Sequence, residues 1–338
     1  MTRALVLLAL LLAAPAVAAP ASPGVGLGLF ASDPEWDYGP LIQEIAQLGV
    51  DGVLVVVPWY QETVHSTLIR PLPGSSPSLD TVKRTMRQLS EAGLAVSLMP
   101  IVLLETQENP KQWRGVIEPQ HLGRPDTARW FASYRDFVLA HAVLAGQVGA
   151  QRFLVGSELL SLEEERPRWM ELIGGVRAVF KGQLGYSANW DRYDQVTFWD
   201  ALDFVGVNGY FRLARDGAQP SEDALVRSWE KHLVALQTLR DAVGLPLLMT
   251  EVGYSSRVTA AAKPWCACPT EERDHDLQAR LYGAFLRVAL AEELDTPVPF
   301  DAWFLWNWFG FGGPNDGTFT PRGKPAETLL RSALQSRR

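Results

Sequence analysis

At 338 residues, with 47% hydrophobic and 20% charged side chains, the chain has the composition of an ordinary folded protein and can bury a large core without metals or many disulfides. A formal net charge of −7 and the lack of any dense run of Lys or Arg exclude a polyanion-binding surface, so no nucleic-acid partner is expected. The 12 Trp stand out, because a flat apolar ring with one N–H donor fills cores and also stacks on sugar rings.

The first residues have the form of an export signal. Arg3 supplies a positive start, Ala4 to Ala14 an apolar run, and Ala16-Val17-Ala18 a small-residue cleavage site. Residues 1–18 are therefore expected to be removed and the mature protein to be secreted or periplasmic. The apolar run falls short of the ~20 residues that span a bilayer, so no membrane partner is expected after cleavage.

Eight apolar, β-rich runs follow, at 25–30, 52–58, 95–102, 152–155, 184–188, 204–207, 246–250 and 302–307. Most are continuous rather than alternating, as strands buried on both faces of a parallel sheet should be. Helical periodicity separates them: Leu79, Val82, Met86 and Leu89 share one face, as do Leu225, Trp229, Leu233 and Leu236, and then Leu277, Leu281, Phe285 and Val288. Ser78 and Ser221 stand at N-cap positions, and Gly93 and Gly244 where helices close. Between Asn189 and Asp203 there is room only for a short helix, so the fifth unit should be degenerate. The pattern predicts an α/β fold, a (β/α)8 TIM barrel forming one domain over residues 24–336. An open doubly wound sheet is disfavoured, since no G-x-G-x-x-G follows the first strand. Long segments at 105–126 and 254–275 follow the third and seventh strands and should lie on the catalytic face.

Strand four runs into F-L-V-G-S-E and strand seven into L-L-M-T-E, which places Glu158 and Glu251 in the first turn beyond each strand. A carboxylate directly after a buried run is poorly explained by solubility. Two carboxylates facing each other across a barrel mouth suit glycoside hydrolysis, where one protonates the leaving oxygen and the other attacks or activates water. A salt-bridged structural pair is the competing explanation. Aromatic and amide residues recur at strand ends and are expected to bind a carbohydrate substrate: Trp59 and Tyr60 after strand two, Trp190 after strand five, Asn208 and Tyr210 after strand six, and Trp306, Asn307 and Trp308 after strand eight. The five His, at positions 65, 121, 141, 232 and 275, lack ligand spacing, and Cys266 and Cys268 are too few for a metal site, so no metal or other cofactor is expected. The two cysteines are either loop thiols or a local bridge.

Several motifs together resemble the TIM-barrel glycoside hydrolases that include retaining endo-β-1,4-mannanases. They are Q-W-R-G-V-I-E-P at 112–119, W-F-A-S-Y-R-D-F at 130–137, V-G-S-E-L at 155–159, F-W-D-A-L-D-F-V-G-V-N at 198–208, M-T-E-V-G-Y at 249–254 and G-K-P-A-E-T-L-L-R near the end. The resemblance implies Glu158 as acid/base and Glu251 as nucleophile, with β-mannan first among substrates; separately, the chain is expected to be a monomer. A glycan-binding barrel without catalysis is the alternative, and retention of both Glu weighs against it. Two departures bear on the substrate. Met99, Pro100 and Ile101 stand where relatives often carry K-P-H, and Ser157 stands where many have an Asn poised for the sugar 2-hydroxyl, which leaves Asn208 as another candidate donor.

Overall fold

The structure, a computed structural model, describes residues 21–290 and 297–337. The expected export signal at 1–18 lies outside them. Eight parallel strands, Ser22–Gly28, Gly52–Gln61, Ala95–Leu104, Arg152–Ser157, Gln183–Ala188, Phe204–Asn208, Leu247–Val252 and Ala302–Leu305, close into one barrel in chain order. The last pairs with the first, Ala302 opposite Ser22. This is the single-domain (β/α)8 barrel that the alternation of strands and helices predicts.

Helices at Gly39–Ala46, Leu79–Glu91, Thr127–Gln147, Arg166–Val179, Glu222–Val243, His275–Ala289 and Pro325–Gln335 cover the outside. The fifth unit has only two single 3-10 turns, Tyr193–Gln195 and Trp199–Ala201, as its short length requires. Ser78 and Ser221 cap their helices, accepting from the N–H of Thr81 and Ala224. Gly244 ends its helix at φ +71°, a left-handed conformation that costs glycine nothing. Leu79 departs from expectation. As the first residue after its cap it lies outside the packed stripe and is exposed, while Val82, Met86 and Leu89 are buried.

Strand bounds differ from the apolar runs in ways that matter for the mouth. The second and third strands continue to Gln61 and Leu104, the seventh includes Glu251, and the eighth stops at Leu305, before Trp306. Backbone pairing continues past the apolar stretch wherever a neighbour offers a register, as Tyr60 opposite Leu103 shows.

Two apolar layers hold the barrel. Leu54, Val56, Met99, Ile101, Leu154, Phe204, Leu248 and Phe304 fill its interior, so the strand-three residues that replace K-P-H serve as core. Val53, Val55 and Val57, alternating with the interior set on strand two, face the helices with a larger cluster. Cys266 and Cys268, left open by the sequence, form a disulfide. The loop after strand three carries a 3-10 turn at Arg114–Val116 and a short hairpin pairing Gln120–His121 with Arg124–Pro125. No helix among the described residues is long and apolar enough to cross a membrane.

Two glycines test this packing with opposite signs. A Cβ on Gly206 would lie 2.6 Å from Tyr186 O and 2.8 Å from Thr250 Cγ2, and backbone cannot rotate away. Gly206→Ala should therefore cost about 1–3 kcal/mol in urea denaturation. Gly174, exposed in the helix Arg166–Val179, has nothing within 4 Å of its virtual Cβ, so Gly174→Ala should add about 0.5–1 kcal/mol. Equal effects of the two would contradict the layered packing.

Candidate active site

Glu158 is the first residue past the fourth strand, and its backbone turns into the left-handed region at φ +53°. Its carboxyl meets Arg114 Nη2 at 2.5 Å, brought from the loop after strand three. Glu251 is not in a turn beyond its strand, as the sequence suggested, but in the penultimate position of the strand itself. There it accepts from Tyr210 Oη at 2.6 Å. Both glutamates are buried.

The two carboxyls sense each other. Burial pushes Glu251 up to about 8, with the negative charge of Glu158 adding to it, while Arg114 and hydrogen bonding from Tyr210 and Asn208 oppose the rise. At neutral pH the raised Glu251 carboxyl retains its proton beside the ion pair of Glu158 and Arg114. Acid-assisted displacement needs one protonated and one ionised carboxyl, so this proton must pass to the acid before the other glutamate can attack.

Beneath Glu251 lies a polar cluster. Asn208 Oδ1 accepts from Ser187 Oγ at 2.7 Å and from Thr250 Oγ1 at 3.0 Å, and the two hydroxyls meet at 2.6 Å. Asn208 is fully buried and favours the ionised form of Glu251, and its Nδ2 has no partner within hydrogen-bond distance among the described residues, so the donor that the sequence suggested is not taken up by the protein. Tyr210 is engaged with Glu251 first. Ser157 Oγ is buried without a protein partner.

The aromatic residues divide by strand parity. Trp59 shares the outward side with Val53, Val55 and Val57 and stacks on Phe137, 4.9 Å between centroids, with His141 at its edge. It is half-buried and packs toward the helices, on the side opposite the barrel interior. Tyr60, one position on, shares the interior side with Leu54 and Val56 and is half-buried. Trp308 is core. It is fully buried, donates Nε1 to Glu44 at 2.9 Å and lies under Arg331. Trp306 belongs with the interior side, half-buried and edge-on to Phe30 at 6.0 Å, where the barrel opens. Asn307, between the two Trp, is buried with Oδ1 unpartnered. Trp190 is half-buried and stacks on Trp265 at 5.3 Å and 11°.

Arg114 and Trp265 were not singled out from sequence. Arg114 falls in the 112–119 motif and Trp265 in the long segment at 254–275, so a cation and an aromatic on catalytic-face loops were the available signals. Among the described residues no group of three His, Cys, Asp or Glu is placed to hold a metal ion.

The family model of Glycoside Hydrolase Family 113 matches residues 39–311, most of the chain. The chain belongs to glycoside hydrolase family 113. As a glycoside hydrolase it is similar to the family 113 β-mannanase AaManA from Alicyclobacillus acidocaldarius, solved in complex with ManMIm. The two are 26% identical over 93% of this chain and 96% of that one, with a TM-score of 0.79. A complex of a family 113 β-1,4-mannanase shares the fold at 23% identity, covering 93% and 98% of the two chains with a TM-score of 0.79. No curated protein sequence matches the chain.

The electrostatics of the pair can be read by titration. Glu158→Gln removes the like charge and should lower the Glu251 midpoint from about 8, whereas Arg114→Gln should raise it, as followed by carboxyl 13C shifts. Because the folded value lies above the ordinary 4.5, the folded chain binds the extra proton between about 4.5 and 8. Stability should accordingly decline as pH rises through that window, and Glu251→Gln should flatten the slope. A Glu251 midpoint indifferent to Glu158 would place the two carboxyls in separate environments.

Proposed function

We propose that this glycoside hydrolase is an exported, retaining β-mannanase in which Glu158 is the acid/base and Glu251 the nucleophile. The observation that carries the reading is the pair of buried glutamates at the ends of strands four and seven, each with its own partner, Arg114 on one and Tyr210 on the other. The sugar is taken from the relative named a β-mannanase at 26% identity. Export is taken from the pattern at 1–18, and the enzyme is proposed to work as a monomer without a cofactor.

In the first step the proton that the free site holds on Glu251 passes to Glu158, and the Glu251 carboxylate so formed attacks the anomeric carbon as Glu158 gives that proton to the departing glycosidic oxygen. Tyr210 and Asn208 favour the ionised form of Glu251 that must attack. Arg114 stabilises the carboxylate left on Glu158, which then takes a proton from water as that water displaces Glu251 from the sugar. Trp306, just past strand eight and half-buried on the interior side of the barrel, is the aromatic we assign to stacking on a sugar ring.

Purified protein screened on β-linked polysaccharides should release products from mannan in preference to cellulose, xylan and galactan, with retained anomeric configuration by NMR. On aryl glycosides with acidic phenols, Glu158→Ala should form the glycosyl-enzyme and stall, and azide should restore turnover with retention. Glu251→Ala should fail at the first step, with small anions giving an inverted product. Reversed rescue configurations would exchange the two roles, and activity confined to another glycan would replace mannan as substrate.

A further inference from the structure

The turn that carries Glu158 is anchored by groups that take no part in the proposed displacement. A side-chain-bearing residue at φ +53° persists only where its surroundings over-determine it. Two backbone anchors do so here. The Glu158 N–H donates to Ser187 O at 2.9 Å, and the following N–H, of Leu159, donates to Tyr186 Oη at 2.8 Å. That hydroxyl donates in turn to Glu163 Oε1 at 2.8 Å.

Glu163 is the unusual member of this chain of contacts. It lies just past the 3-10 turn Leu160–Leu162, 2% exposed, with Oε2 lacking any protein partner. Burial pushes its carboxyl up to about 7; the Tyr186 hydrogen bond and Arg192 oppose the rise, and the charges of Glu158 and Asp191 add to it. A carboxyl buried with one oxygen unpartnered is costly, and solubility does not explain it. Its hydrogen bond does. A tyrosine hydroxyl has one proton, and it accepts reliably from an N–H only when that proton is directed elsewhere. Glu163 takes the proton, which leaves a lone pair of Tyr186 facing Leu159.

We infer that Tyr186 and Glu163 are positioning residues for the reaction: the Glu163 carboxyl orients the Tyr186 hydroxyl, and the hydroxyl locks the left-handed turn that presents Glu158 to the barrel mouth. The inference rests on Glu158 being the acid/base. Tyr186 also packs against Trp169 and Phe198, so loss of its ring would disturb the fold, whereas loss of its oxygen removes only the lock.

The test separates positioning from stability by leaving-group dependence. kcat/KM is measured on aryl glycosides of the sugar that the wild-type enzyme cleaves, from dinitrophenyl to phenyl, for Tyr186→Phe, Glu163→Gln, Glu163→Leu and Glu158→Ala. A misplaced acid matters only where the leaving group needs a proton. Tyr186→Phe and Glu163→Leu should lose roughly tenfold or more on the phenyl glycoside and less than about twofold on the dinitrophenyl one. Glu163→Gln keeps an oxygen acceptor for Tyr186 and should stay within about twofold of wild type on both. If Glu163→Leu fails to fold, Tyr186→Phe alone decides, since it removes a single oxygen. Equal losses across all leaving groups in Tyr186→Phe, with a steep dependence in Glu158→Ala, overturn the positioning role alone. A flat dependence in Glu158→Ala overturns the acid/base role of Glu158 and the inference with it.

Discussion

Repulsion between Glu158 and Glu251 is the constraint around which the catalytic end of this barrel is built. Two carboxylates buried together cannot both ionise cheaply, because desolvation and like charge penalise the same ionised form. The structure offsets this in two ways. Burial and mutual repulsion hold a proton on the pair, and each carboxyl has its own donor, Arg114 for Glu158 and Tyr210 for Glu251. Those donors come from the loops after strands three and six, so the site exists only when the barrel has closed and ordered them.

Most of the aromatic side chains stand behind that arrangement and not in front of it. Trp130 stacks on Tyr134, whose hydroxyl donates to Val155 O in strand four, and Trp169 stacks on Phe198 while donating to Leu162 O. These contacts pin the strand that ends in Glu158 and the turn that follows it. A high Trp content was compatible with sugar stacking or with core, and here it serves mainly as core with polar tips that fix backbone. Packing of this density transmits small displacements, so residues far from the cleft set the carboxyl positions.

This also explains what could be read from the sequence. The eight apolar runs and the periodic stretches between them reveal the barrel, because continuous burial of parallel strands leaves a strong signal. Glu158 and Glu251 are legible for the same reason, each being a charge set against a buried run. The same continuity hides side-chain parity: where every residue in a run is apolar, nothing distinguishes interior from exterior, and Trp59 and Trp308 are indistinguishable from Tyr60 and Trp306 until the register is known. Arg114 is hidden by distance. It is 44 residues from the carboxylate that it meets, on a loop whose path no local pattern specifies.

Trp308 shows how one segment can serve both ends of the problem. Strand eight delivers Trp306 to the interior side and, two residues later, Trp308 to the outside, where it bonds Glu44 of the first helix. Arg322 grips the same carboxylate through Nε at 2.6 Å and Nη2 at 2.7 Å, a bidentate pairing across 278 residues of sequence. The last barrel unit is thereby fastened to the first at the seam where the sheet closes, Val25 opposite Leu305. Closure and the cleft wall are therefore coupled: any shift that opened the seam would carry Trp306 with it, since the chain between Leu305 and Trp308 has only two residues in which to absorb the change. A barrel that uses two aromatics two residues apart at one strand end for clasp and cleft gains a fixed cleft at the expense of freedom to vary either alone.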